Sequence, residues 1–139
     1  MKSLYAYLRI YNDFHDRPET RLMTLAYDLA PADVHDRLTA RQIVLIDVRE
    51  PAEYAAERIH GALNFPLSTF DADALPAGGP RAIVLQCGSG KRSAMAMDLC
   101  RKAGVEVAGH LAGGIGAWRS ADLPVVRIDP ATGAVRDAR

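Results

Sequence analysis

The stretch Arg81-Ala-Ile-Val-Leu-Gln-Cys87-Gly-Ser-Gly-Lys-Arg92-Ser93, continuing as Ala94-Met-Ala-Met-Asp-Leu-Cys-Arg-Lys-Ala-Gly104, decides the fold. Ala82 to Leu85 is apolar but too short for a helix, which predicts a strand buried on both faces. Gly88 and Gly90 then interrupt regular structure. From Lys91 to Ala103 helix breakers are absent, and Asp98, Arg101 and Lys102 form a polar face. Asp98 and Lys102 stand four apart in the favourable acid-before-base order. Cys87 is therefore expected to leave a buried strand, enter a tight loop and face the start of a helix.

That position suits a thiolate. Helix N-termini and nearby cations favour the ionised form of a thiol, and Lys91 and Arg92 follow four and five residues later. Gly88 and Gly90 allow successive backbone N–H groups to turn inward as an anion-binding nest. The same cradle, Gly88 to Ser93, would accept a persulfide or an anionic substrate. The competing reading is a buried, inert cysteine, which needs neither glycines nor cations around it. Cys100 fits that description better, because it falls within the expected helix among Ala96, Leu99 and Ala103. A resolving thiol at Cys100 is the weaker alternative.

Outward from this stretch, short apolar runs alternate with helical segments, the pattern of a parallel α/β sheet. Strands are expected at Thr24–Asp28, Ile43–Ile46 (ending at Asp47), Leu63–Phe65 and Val105–Ala108. Helices are expected at Pro31–Leu38, Pro51–Glu57, Leu67–Leu75 and Ile115–Ser120; Pro31 and Pro51 suit first turns, where the missing N–H costs little. Pro76 to Pro80 is a loop. Right-handed crossovers would give one doubly wound sheet. Residues 1–22 read as an N-terminal extension or arm, 23–126 as the domain, and 127–139 as a polar tail. Met23 is either the native start, with the preceding residues an artefact of assignment, or simply the residue that follows a genuine arm.

The 139 residues are enough for one core without disulfide or metal. Hydrophobic residues make up 49% and charged residues 24%, and 17 basic side chains balance 17 acidic ones. No global field therefore recruits nucleic acid or a membrane surface. No apolar run approaches the length of about 18 residues that would suggest a membrane span. Two cysteines without framework spacing point to a reducing, cytoplasmic setting. The four histidines and two cysteines fit no metal-ligand spacing, and no cofactor is implied. Gly88-Ser-Gly-Lys91 lacks the flanking residues of a nucleotide P-loop.

Taken together, four segments resemble the rhodanese family of sulfurtransferases. They are the Cys87 loop, Ile46-Asp-Val-Arg-Glu-Pro-Ala-Glu-Tyr54, Ile59-His-Gly-Ala-Leu-Asn-Phe-Pro66, and Leu111-Ala-Gly-Gly-Ile-Gly-Ala-Trp118 with Leu123-Pro-Val125. They occur in the family's order and spacing over roughly residues 25–126. The resemblance implies an α/β fold with a five-stranded, mainly parallel sheet and helices on both faces. It makes Cys87 the catalytic nucleophile and Gly88, Ser89, Gly90, Lys91, Arg92 and Ser93 the substrate-binding loop. Asp47 and Arg49 become supporting residues that tie loops together, with Glu53 joining them. Arg58 and His60 depart from the family pattern, and His60 reads as a surface residue.

The implied reaction moves a sulfane sulfur from a small anionic donor, thiosulfate or a persulfide, to cyanide, a small thiol or a protein thiol. No separate base is required if the thiol is already ionised. Related phosphatases place the arginine six positions after the cysteine; here Arg92 is five positions after Cys87, the sulfurtransferase spacing. Cys-Gly-Ser-Gly also resembles mercaptopyruvate sulfurtransferases, a less favoured alternative. The alternative of another class is a non-enzymatic rhodanese-like module for protein binding or sulfide sensing.

Overall fold

The computed structural model describes residues 27–139. The expected arm at 1–22, the question about Met23 and the start of the first expected strand lie outside them. Five strands form one parallel sheet: β1 (Asp28–Leu29), β2 (Ile43–Asp47), β4 (Leu63–Asn64), β5 (Ala82–Gln86) and β6 (Gly109–Leu111), in the spatial order β1-β6-β5-β2-β4. β2 and β5 occupy the centre, with Ile43 opposite Ala82 and Asp47 opposite Gln86. Their near-continuous aliphatic character follows from burial on both faces.

Alternation along these strands divides the core. Ile46, Val48, Ile83, Leu85 and Cys87 join Met95, Ala96 and Cys100 of α3 (Lys91–Lys102) on one face. Leu45 and Val84 meet Val34 of α1 (Pro31–Thr39) and Ile115 and Trp118 of α4 (Gly114–Ser120) on the other. Trp118 is buried, and its Nε1–H donates to the Pro124 carbonyl at 2.9 Å. The five-stranded sheet with helices on both faces is thus present. The short α2 (Pro51–Ala56) buries no residue and sits beside the carboxyl end of β2.

Three local expectations need correction. Leu67–Leu75 is not a helix but two single 3₁₀ turns, Leu67–Thr69 and Ala72–Ala74. Phe70 is extended between them and packs on the core, while the Asp71 carboxylate accepts the Asp73 N–H at 3.0 Å. Local side-chain bonding of this kind competes with a continuing helix. The last parallel strand is Gly109–Leu111 rather than Val105–Ala108. Val105 donates to the Cys100 carbonyl at the end of α3, and Val105 and Val107 pack on the core as the chain returns to the sheet. Residues 127–139, expected as a tail, carry a hairpin. β7 (Val126–Ile128) pairs with β8 (Val135–Asp137) and with β3 (Glu57–Arg58), all antiparallel. Its turn closes through Gly133 N–H to the Asp129 carbonyl at 2.7 Å.

Candidate active site

Cys87 follows β5 at the carboxyl end of the sheet, where open α/β sheets carry their sites. Its side chain is fully buried beneath the loop 88–90. Gly90 is the residue before α3 and has φ +98°, a left-handed conformation that turns its N–H back to the sulfur. That N–H donates to Cys87 Sγ at 3.1 Å. The α3 terminus thus directs a backbone donor and the positive end of its dipole at the sulfur.

The loop is braced from behind by α4. Ile115 N–H donates to the Cys87 carbonyl at 2.8 Å and Gly116 N–H to the Gly88 carbonyl at 3.1 Å. Gly114, at φ +60°, lies so close that a Cβ there would stand 2.6 Å from the Gly88 carbonyl carbon. The glycine run at Gly113, Gly114 and Gly116 is therefore the seat of the Cys87 loop.

The six loop residues have different surroundings. Ser89 and Lys91 are exposed, and no ion pair involves Lys91 among the described residues. Arg92 reaches across to α2, where it donates to both Glu53 oxygens at 2.6 and 3.0 Å. This hydrogen-bonded pairing holds the Glu53 carboxyl below its ordinary value and raises that of Arg92, and the charges at Cys87 and Asp47 contribute further to the rise at Arg92. Glu53 therefore pairs with the loop rather than directly with Asp47 and Arg49. Ser93 is buried; its Oγ lies 3.5 Å from Cys87 Sγ and 3.2 Å from the Gly90 carbonyl oxygen.

Asp47 and Arg49 form a buried pair beside the loop. Arg49 NH2 donates to Asp47 at 2.8 Å and to the Glu57 carbonyl at 2.6 Å, and Arg49 N–H donates to Asp47 at 3.0 Å. Asn64 bridges the Asp47 and Arg49 carbonyls. These contacts join β2, β3 and β4 around the site. Cys100 is buried in α3, and burial pushes its thiol up to about 11. His60 is exposed and contacts the C-terminal Asp137 and Arg139.

Two residues that the sequence did not assign to the site, His110 and Asp28, stand within this network. His110 of β6 is buried; its Nδ1 lies 2.7 Å from Ser93 Oγ and its Nε2 2.5 Å from Asp28 Oδ1 of β1. The one signal available beforehand was a polar residue between Gly109 and Leu111 in an otherwise apolar strand. Its register opposite Leu85, two residues before Cys87, is a property of the folded sheet.

Comparison with known proteins places this geometry in context. A family model described as "Rhodanese-like domain" matches residues 30–121. The protein slr1261 of Synechocystis is 39% identical over 99 residues, covering 71% of this chain and 55% of that protein. The probable adenylyltransferase/sulfurtransferase MoeZ of Mycobacterium tuberculosis is 41% identical over 93 residues, 65% of this chain and 24% of its own. The chain thus spans about half the length of the first relative and a quarter of the second. A crystal structure of a rhodanese-related protein from Thermoplasma volcanium superposes with a TM-score of 0.63 at 27% identity, covering 71% of this chain and 96% of that one.

Proposed function

Because the chain belongs to the rhodanese-like domain family, we propose that it is a sulfurtransferase working through a Cys87 persulfide. The observation that carries the reading is the Gly90 N–H aimed at Cys87 Sγ at the start of α3. A sulfur held by a backbone donor at a helix N-terminus is better suited to carrying negative charge than to filling space.

In the first half-reaction the Cys87 thiolate attacks the outer sulfur of thiosulfate. A new S–S bond forms, the old one breaks, and sulfite leaves with the bonding pair. The Cys87 persulfide anion inherits the Gly90 N–H and the helix-terminal field. In the second half-reaction cyanide or a thiolate attacks the terminal sulfur, and Cys87 leaves as the thiolate. Lys91, exposed beside the loop, attracts the donor dianion. Arg92 is anchored by Glu53, so it supplies positive charge from a fixed position and holds the loop to α2. Asp47 and Arg49 support the site without touching the sulfur.

Thiosulfate or a persulfide suits two adjacent cations better than mercaptopyruvate, which has one carboxylate. A cellular or protein thiol is the natural acceptor class, and a reducing cytoplasm would keep Cys87 free. The sulfurtransferase half of the Mycobacterium relative's description favours this reading over a non-catalytic module. Intact mass after thiosulfate treatment tests it. One added sulfur on wild type and none on Cys87→Ser is expected; an unmodified wild type overturns it.

A further inference from the structure

Asp28, His110, Ser93 and Cys87 form a continuous chain, buried from His110 to Cys87 with Asp28 half-buried at its outer end, whose spacing is 2.5, 2.7 and 3.5 Å. Its members come from β1, β6, α3 and the end of β5. Their direction of hydrogen bonding follows from chemistry. An ionised Asp28 can only accept, so His110 Nε2 carries a proton toward it. In a neutral imidazole this leaves Nδ1 as acceptor, and Ser93 Oγ–H must donate to it. The remaining Ser93 lone pairs face Cys87 Sγ–H. Every bond then points from the thiol toward the carboxylate.

We propose that Asp28, His110 and Ser93 are a proton relay that ionises Cys87, with His110 taking up the proton that Ser93 gives on as it receives the one from the thiol. The inference rests on the reading of Cys87 as the nucleophile. The Cys87 S–H bond breaks as its proton passes to Ser93 Oγ, while the original Ser93 proton passes to His110 Nδ1. The products are a thiolate and an imidazolium. The imidazolium donates from Nδ1 to Ser93 and from Nε2 to Asp28, whose negative charge balances it. The Ser93 hydroxyl, now carrying the former thiol proton, turns to the thiolate or to the Gly90 carbonyl 3.2 Å away. The Gly90 N–H already directed at Sγ receives the developing charge. Ser93 touches the reacting sulfur; His110 and Asp28 act through it as positioning residues.

The groups facing His110 are Asp28 from β1, the Ser93 hydroxyl from α3 and, through Ser93, the Cys87 thiol after β5. Among the described residues Asp28 is its only charged hydrogen-bond partner. Arg92 also favours negative charge at Cys87 and is unchanged in the variants below.

The test is the rate of iodoacetamide labelling at Cys87, located by peptide mass, from pH 5 to 10. Wild type, His110→Asn, Ser93→Ala and Asp28→Asn are compared, with thermal melting as the check of folding. Loss of the relay is expected to slow labelling at pH 7 about tenfold in His110→Asn and Ser93→Ala, with the inflection about one unit higher. Asp28→Asn keeps an acceptor for Nε2–H but removes the charge, so its profile moves the same way by less. Folded variants whose profiles superimpose on wild type overturn the relay. If His110→Asn does not fold, the Asp28→Asn profile decides alone. Labelling needs no sulfur donor, so the two ideas fail separately. A moved profile in a protein that takes no sulfur from thiosulfate retains the relay and removes the sulfurtransferase reading. Coincident profiles in a protein that takes up one sulfur do the reverse.

Discussion

Replacing Gly114 by Ala inserts a methyl group into the turn that seats the Cys87 loop. The residue has φ +60°, where an L side chain is strained by about 1–2 kcal/mol. Its Cβ would stand 2.6 Å from the Gly88 carbonyl carbon and 2.7 Å from the carbonyl oxygen, and also press on the Cys87 carbonyl oxygen. Real Cβ contacts essentially never fall below 3.0 Å, so the loop has to retreat by at least 0.4 Å at Gly88. Both partners are backbone, so no rotamer change can relieve the overlap. Overpacking of this kind costs a further 1–3 kcal/mol or so. The expected total of about 2–5 kcal/mol corresponds to a fall in Tm of about 5–20 °C. The retreat also lengthens the bonds from Ile115 and Gly116 that hold the loop. Since a displacement of about 1 Å can cost a hundredfold in rate, a loss of at least about tenfold in sulfur transfer from thiosulfate is expected. Gly104→Ala is the reference. It has φ +72° but nothing within 4 Å of its Cβ, so only the backbone strain applies. Urea denaturation and thiosulfate kinetics of both variants measure the difference. If Gly114→Ala is no less stable than Gly104→Ala and transfers sulfur at the wild-type rate, the loop is not seated as described.

Arg49→Met should lose about 3–5 kcal/mol in urea denaturation, because it leaves the buried Asp47 carboxylate without its charge partner; a loss below about 1 kcal/mol would refute that role. Burial alone would raise the Asp98 carboxyl, but bonds from Lys102 and Arg101 outweigh it and hold the group below its ordinary value. Its folded value being the lower one, its stabilisation is complete above the unfolded value near 3.8 and disappears as pH falls through the folded one. The stability gap between wild type and Asp98→Asn should therefore be widest above about pH 5 and close on acidification; a gap independent of pH would refute the argument. Lys91→Ala should raise the KM for thiosulfate more than it lowers kcat, with the gap to wild type narrowing as salt screens the lysine's charge. An unchanged KM would remove Lys91 from donor binding.

Local sequence alone was enough to predict the parts governed by short-range pattern. Ala82 to Leu85 could only be a buried strand, the paired glycines only a turn, and Lys91 onward only a helix, so Cys87 was placed at a strand–helix junction in advance. The order of apolar runs implied a parallel sheet, and charge spacing anticipated the Asp98–Lys102 pair at 2.8 Å. Where a local preference was weak, tertiary packing decided. Leu67–Leu75 had enough apolar residues for a helix, yet burying Phe70 and bonding within Asp71–Asp73 gave two turns. Val105 and Val107 had strand propensity, yet the span from α3 back to the sheet used them before pairing began at Gly109. The hairpin at 126–137 depends on the exposed edge of β3, which no local pattern announces. Above all, Asp28 and His110 are separated by 82 positions, and their contact depends on β6 lying between β1 and β5. Strand order and register arise from long-range packing, so the residues around Cys87 were legible as a loop in the chain but became a connected site only in the folded sheet.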